Sequence, residues 1–187
     1  MGKVKKILDS VHGYVEVPEE IVDKIIDTIY FQRLRRIEQT SGRSIFPSAR
    51  HDRFIHSLGV YSLGVRIVNS LLDRHISQFP NFATFMPVLY SYELACLLHD
   101  VGHTPFSHTF EGYYNNPGNK LSEHLIGLLR KTDSEFEEDF SNQLLDAAPH
   151  EIISAIIAVE IFGDFIAEAH DYRGHSIRGD KALVARM

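Results

Sequence analysis

Apolar residues recur at helical spacing along most of this chain, and no other feature narrows its possible folds as much. From residue 52 to 76, Ile55, Leu58, Tyr61, Val65, Val68, Leu71 and Leu72 mark one face of a long helix. From residue 88 to 100 the chain is apolar almost all round, as expected of a central buried helix. Ahead of these, Pro18-Glu19-Glu20 makes a helix start, with proline in the first turn and acids near the positive end of the dipole. Ile21, Val22, Ile25, Ile26 and Ile29 follow at helical spacing. Further helices are predicted over residues 106–114, 122–129, 135–145 and 151–162, and only Val15-Glu16-Val17 suggests a short strand. Loops are predicted at residues 41–48 and 170–180, and the Val101–Pro105 run breaks the central helix. No repeat, low-complexity tract or long linker divides the chain. The expectation is one all-α domain over residues 1–187, ending inside a helix that starts at Lys181.

Composition removes several function classes. The longest apolar runs fall short of the roughly 20 residues that a membrane-spanning helix needs. The basic start Met1-Gly2-Lys3 has no apolar region behind it, so it does not read as a signal peptide. A single cysteine, Cys96, cannot form an internal disulfide; among apolar neighbours it is expected to be a buried structural thiol. A cytoplasmic location is expected. The formal charge of −6 argues against nucleic acid as the main partner. Between Phe31 and Arg53, however, stand six arginines (33, 35, 36, 43, 50 and 53) and two acids. Their planar forks suit phosphate, although a solvated basic face explains the run equally well.

The chemistry concentrates after the central helix, in His99-Asp100-Val101-Gly102-His103-Thr104-Pro105-Phe106-Ser107-His108. A charged Asp is rarely buried without a partner, and a cation is the simplest one. Imidazole plus carboxylate is a donor set for one divalent metal ion of the Fe, Mn, Zn or Mg type. Helix capping would account for one of these groups but not for four in ten residues. The second feature is His51-Asp52-Arg53-Phe54-Ile55-His56. On a helix, Arg53 and His56 share a face, which would set a phosphate-binding group beside a metal ligand. Taken alone, His56 would read as a core histidine.

These blocks resemble the HD superfamily, and within it the deoxynucleoside triphosphate triphosphohydrolases. The likeness runs in order over about residues 9–114, through Asp9-Ser10-Val11-His12-Gly13, Phe31-Gln32-Arg33-Leu34-Arg35 and the two histidine blocks. It implies an HD-domain helical bundle in which His56, His99 and Asp100 are three of four metal ligands. It further implies that Arg53 contacts phosphate, that Gln39 lies against the deoxyribose, and that His103 and His108 surround the α-phosphate and attacking water. The family's His-Glu pair beside the leaving oxygen is assigned to His150-Glu151 in preference to the reversed Glu123-His124. The fourth ligand, an Asp in an Asp-x-Asp-Lys-x-Asp-Tyr block, has no counterpart here; Asp180-Lys181 is a superficial fit. The chain is therefore expected to be the N-terminal part of a longer protein, with an open metal position and an uncovered apolar patch.

The implied reaction is metal-dependent conversion of a dNTP to a deoxynucleoside and triphosphate, in a homo-oligomer. The residues by themselves argue only for metal-assisted phosphoester hydrolysis. Two rivals remain: an HD phosphohydrolase for other nucleotides, and a non-catalytic nucleotide-binding regulatory module. Arg53 is expected to serve phosphate rather than stability.

Overall fold

The structure is a computed structural model that describes residues 3–40, 45–48, 50–75, 82–116, 118–119, 121–132, 136, 138 and 147–187. It is mainly helical, as the periodicity requires. The two long elements are α1 (Arg53–His75) and α2 (Phe82–Leu98), packed against each other. Ser107–Phe110 forms a 3-10 turn that runs into α3 (Glu111–Tyr114). Then come α4 (Leu121–Thr132), α5 (Pro149–Glu160), α6 (Gly163–Ala167) and α7 (Lys181–Arg186). The helix expected over 135–145 falls largely outside the described residues, as does part of the 41–48 loop.

The main core lies between α1, α2 and the N-terminal segment, with Phe31, Leu34, Phe54, Leu58, Leu94 and Leu97 almost fully buried. A smaller cluster joins α4 to α5 through Leu129, Ile152, Ala155 and Val159. Leu63, Ile67 and Leu71 of α1 are exposed at helical spacing, as are Phe85 and Val88 of α2. Cys96 is half-buried rather than buried, and burial pushes its thiol pKa up.

Two hairpins replace segments that the sequence reading left mostly without structure. β1 (Val4–Asp9) pairs antiparallel with β2 (Gly13–Pro18), so the strand expected at 15–17 is the inner part of a longer one. Val15 and Val17 point into the core, and the Asp9 carboxylate closes the turn by accepting the Val11 and His12 N–H groups. The predicted loop at 170–180 instead contains β3 (Ala169–Tyr172) and β4 (His175–Arg178). Its two-residue turn has φ of 54° at Arg173 and 82° at Gly174, the doubly positive geometry that matches strand twist. Arg173 is held there by hydrogen bonds to Glu93 (2.9 Å) and Asn69 (2.5 Å), contacts from far along the chain.

The helix expected from Pro18 is also broken up. Glu19–Ile21 passes into a π-turn at Val22–Ile26, then Ile29–Gln32 and a 3-10 turn at Arg33–Arg36. Thr28, extended and donating its hydroxyl to Ile25 O at 2.7 Å, interrupts the helical course.

Candidate metal centre and histidine cluster

The site forms where the start of α1 meets the end of α2. The Asp52 carboxylate accepts the Ile55 N–H at 2.9 Å and caps the first turn of α1, which sets Arg53 and His56 on one face. His99 ends the hydrogen-bonded course of α2, its N–H reaching Ala95 O at 2.9 Å, and Asp100 and Val101 turn away from the axis. This negative end of the helix dipole suits a cation.

Three ligand atoms converge. His56 Nε2 and His99 Nε2 are 3.3 Å apart, and each is 3.5 Å from Asp100 Oδ2. The point equidistant from all three lies about 2.0 Å from each, the length of a metal–imidazole bond. His99 Nδ1 donates to Cys96 O at 3.0 Å, because a carbonyl can only accept; its Nε2 is left as a lone pair facing the cluster. Burial lowers the His56 pKa against the opposing pull of Asp100, so its ring is neutral and competent as a ligand. At Asp100, burial works to raise the pKa. It is outweighed by the His103 contact and by the bonded, charged Arg53 guanidinium, which hold the carboxyl well below the usual range. The residues present therefore fit a divalent cation.

Arg53 is almost wholly buried. Its Nη1 donates to Asp100 Oδ2 at 2.6 Å, and its Nη2 to Ser107 Oγ at 2.6 Å and His108 Nε2 at 3.1 Å. Arg53, expected from the sequence to serve phosphate rather than stability, is also one half of a buried ion pair. The arginine run is not one phosphate-binding face either. Arg33 bonds backbone carbonyls, Arg35 lies 3.5 Å over the Phe54 ring, and Arg43 is outside the described residues.

Beside this cluster is a second group made of His103, His108 and His150. His103 is sealed from solvent and lies flat on His150, with ring centroids 3.9 Å apart and planes 18° apart. Its Nε2 is 3.2 Å from Asp100 Oδ1 but poorly aligned, so neither ring nitrogen has a proper hydrogen bond. Burial lowers its pKa. Glu111 Oε1 accepts from His150 Nδ1 at 2.5 Å and from His108 Nδ1 at 2.9 Å. Burial raises the Glu111 pKa, but these two bonds outweigh it and the carboxylate stays ionised.

Glu111 was missed in the sequence, where only its i, i+3 spacing from His108 could have marked it. Glu151, expected as a catalytic group, instead accepts the Ala148 N–H at 2.6 Å and caps α5. His124 and Glu123 are exposed on α4, whereas His150 joins the cluster. Asp180 caps α7 through the Ala182 and Leu183 N–H groups. Gln39 lines a cavity of about 380 Å³ with Arg36, Phe106 and His108, and its buried Oε1 has no hydrogen-bond partner among the described residues. A cavity of about 420 Å³ opens behind His99, Asp100 and His150.

Comparison with known proteins extends this picture. The HD domain family model matches residues 53–182. The chain is 43% identical over 112 residues to chicken (Gallus gallus) "Deoxynucleoside triphosphate triphosphohydrolase SAMHD1", covering 59% of this chain and 17% of that protein. It is 35% identical over 154 residues to the Dictyostelium discoideum homologue of that enzyme, 82% of this chain and 29% of the other. It is 32% identical over 172 residues to Bacillus subtilis protein YwfO, 88% of this chain and 38% of the other. A crystal structure of a phosphohydrolase from Bacteroides thetaiotaomicron shares the fold with a TM-score of 0.59 at 24% identity, covering 98% of this chain and 34% of that one. The chain thus spans well under half the length of each of these proteins.

Proposed function

The chain belongs to the HD domain family, and from that premise we propose that its protein is a metal-dependent phosphohydrolase converting a deoxynucleoside triphosphate to a deoxynucleoside and inorganic triphosphate. The observation that carries this reading is a continuous path between two groups of different chemistry. Asp100, in the cluster fit for a cation, abuts His103; His103 stacks on His150; His150 is held by Glu111. The likeness to SAMHD1 proteins, described as deoxynucleoside triphosphate triphosphohydrolases, supports the substrate class.

His56, His99 and Asp100 would hold the cation, which when bound supplies Lewis acidity toward the phosphoryl group. Arg53, buried against Ser107 and His108, neutralises charge developing at phosphorus, and the Ser107 hydroxyl, which accepts from Arg53 Nη2, has its own O–H to donate to a phosphate oxygen. Glu111 fixes the His150 tautomer by accepting from Nδ1, which leaves Nε2 as the proton-transfer atom. Water attacks the α-phosphorus and releases its proton to solvent. The bond from phosphorus to the 5′-oxygen breaks, and that oxygen takes the Nε2 proton of a His150 that entered the step protonated on both ring nitrogens, its Nδ1–H still held by Glu111. Gln39 faces the sugar from the neighbouring cavity.

The test is incubation of the full-length protein with each dNTP, NTP and dNMP, after chelation and after re-addition of Fe²⁺, Mn²⁺, Zn²⁺ or Mg²⁺. Deoxynucleoside and triphosphate should appear from dNTPs only when metal is restored. Products cut between the α- and β-phosphates, or turnover of monophosphates alone, would replace this reading with another HD phosphohydrolase.

A further inference from the structure

Arg33 spends its guanidinium on backbone. Its Nη1 donates to His103 O at 2.6 Å and its Nη2 to Val101 O at 2.5 Å, across about seventy residues of sequence. The planar fork spans two carbonyls that stand two residues apart in one turn, which a lysine's single ammonium cannot match. That turn directly follows the His99-Asp100 pair.

The same turn is gripped from its other side by α5. The Gly102 N–H donates to Ser154 Oγ at 2.8 Å, and Ser154 is itself buried. A Cβ on Gly102 would stand 2.3 Å from Ser154 N and 2.5 Å from His150 O, so the turn rests on the backbone of the first turns of α5. His103 N–H is tied to Asp100 O at 3.1 Å. Among the described residues the His103 ring has no well-aligned hydrogen bond. Its place between Asp100 and His150 is therefore set by how its backbone is held and by stacking, not by polar contacts of the ring.

We propose that Arg33 is a positioning residue: by tying the Val101 and His103 carbonyls against the seat on α5, it holds the His103 ring on His150 and fixes the spacing between the metal cluster and the Glu111–His150 pair. Arg33 touches neither group of reacting side chains directly in this role. Its kinetic consequence rests on the phosphohydrolase reading; its geometric consequence does not.

The experiment compares Arg33→Met and Arg33→Lys with wild type in the full-length protein, by two readouts. The first is kcat and KM for dNTP hydrolysis: Arg33→Met should lower kcat at least tenfold with KM within twofold, and Arg33→Lys should recover only part of the loss. The second is NMR cross-peaks between the His103 and His150 ring protons, which need no substrate and should weaken sharply in Arg33→Met. If the wild type hydrolyses no nucleotide, the functional reading fails, and the cross-peaks still decide the positioning role. A lowered Tm with wild-type kcat and undiminished cross-peaks would overturn it, since the arginine would then be only a structural tie. Should Arg33→Met not fold, Arg33→Lys, which keeps the charge and one bond, decides by the same readouts: undiminished cross-peaks and kcat overturn the proposal, and their loss supports it.

Discussion

Arg53 Nη1 donates to Asp100 Oδ2 at 2.6 Å with both side chains sealed from solvent, at 3% and 5% exposure. Removing one partner of a buried pair leaves the other charge uncompensated, which typically costs about 3–5 kcal/mol. Arg53→Ala is therefore expected to lower both stability and kcat/KM. Chemical denaturation read beside steady-state kinetics checks this, and an unchanged midpoint would show that Asp100 finds another partner.

The neutral histidines make the metal-free protein sensitive to acid. His56 and His103 both have folded-state pKa values below the ordinary 6.5, chiefly through burial. The unfolded chain then binds protons more readily, so stability is intact above about pH 6.5 and is lost as pH falls through the folded values. The depressed Asp100 carboxyl adds stability above its ordinary 3.8, lost only in stronger acid. Thermal melts between pH 8 and 4 should show Tm falling below about pH 6.5, less steeply in His103→Gln. A flat profile would contradict the burial of these rings.

Glu111→Gln keeps the size of the side chain but removes the charge that holds His150. General acid–base groups contribute on the order of 10²–10⁴ in rate, and a loss toward the lower end of that range is expected in kcat. The Glu151→Gln exchange, acting at a helix cap away from that pair, should cost far less. Equal losses in the two variants would return Glu151 to the reaction.

Two glycines separate packing from backbone entropy. Gly102→Ala would force a methyl to 2.3 Å from Ser154 N, so the turn must move and the protein should be markedly destabilised. Gly127, inside α4, has nothing within 4 Å of its added Cβ; Gly127→Ala should stabilise by about 0.5–1 kcal/mol. Thermal denaturation of the pair gives the sign of each effect.

Sequence alone determined what repeats locally. Apolar spacing placed α1 within a residue of its ends, because a 3.6-residue period over about six turns leaves few alternatives, but it put the start of α2 at residue 88, six residues after Phe82. The His99-Asp100 pair stood out for a related reason: four such polar groups in ten residues at an apolar helix end are hard to account for by packing, whereas His56 taken alone would have read as a core histidine. The second hairpin was not legible, since its four-residue polar strands carry little alternation and the Arg173 turn is held by Glu93 and Asn69 from distant helices.

Only the tertiary structure decided how the polar groups are shared out. Glu151 follows His150 in sequence, yet the helix start draws its carboxylate back to the Ala148 N–H, and Glu111 from another element meets His150 instead. Arg33 and Arg53 are the same residue type in one run, but one holds carbonyls and the other a buried carboxylate. A side chain's partner depends on which unsatisfied group lies within about 3 Å in space, and sequence spacing fixes that distance only within a turn or two of chain.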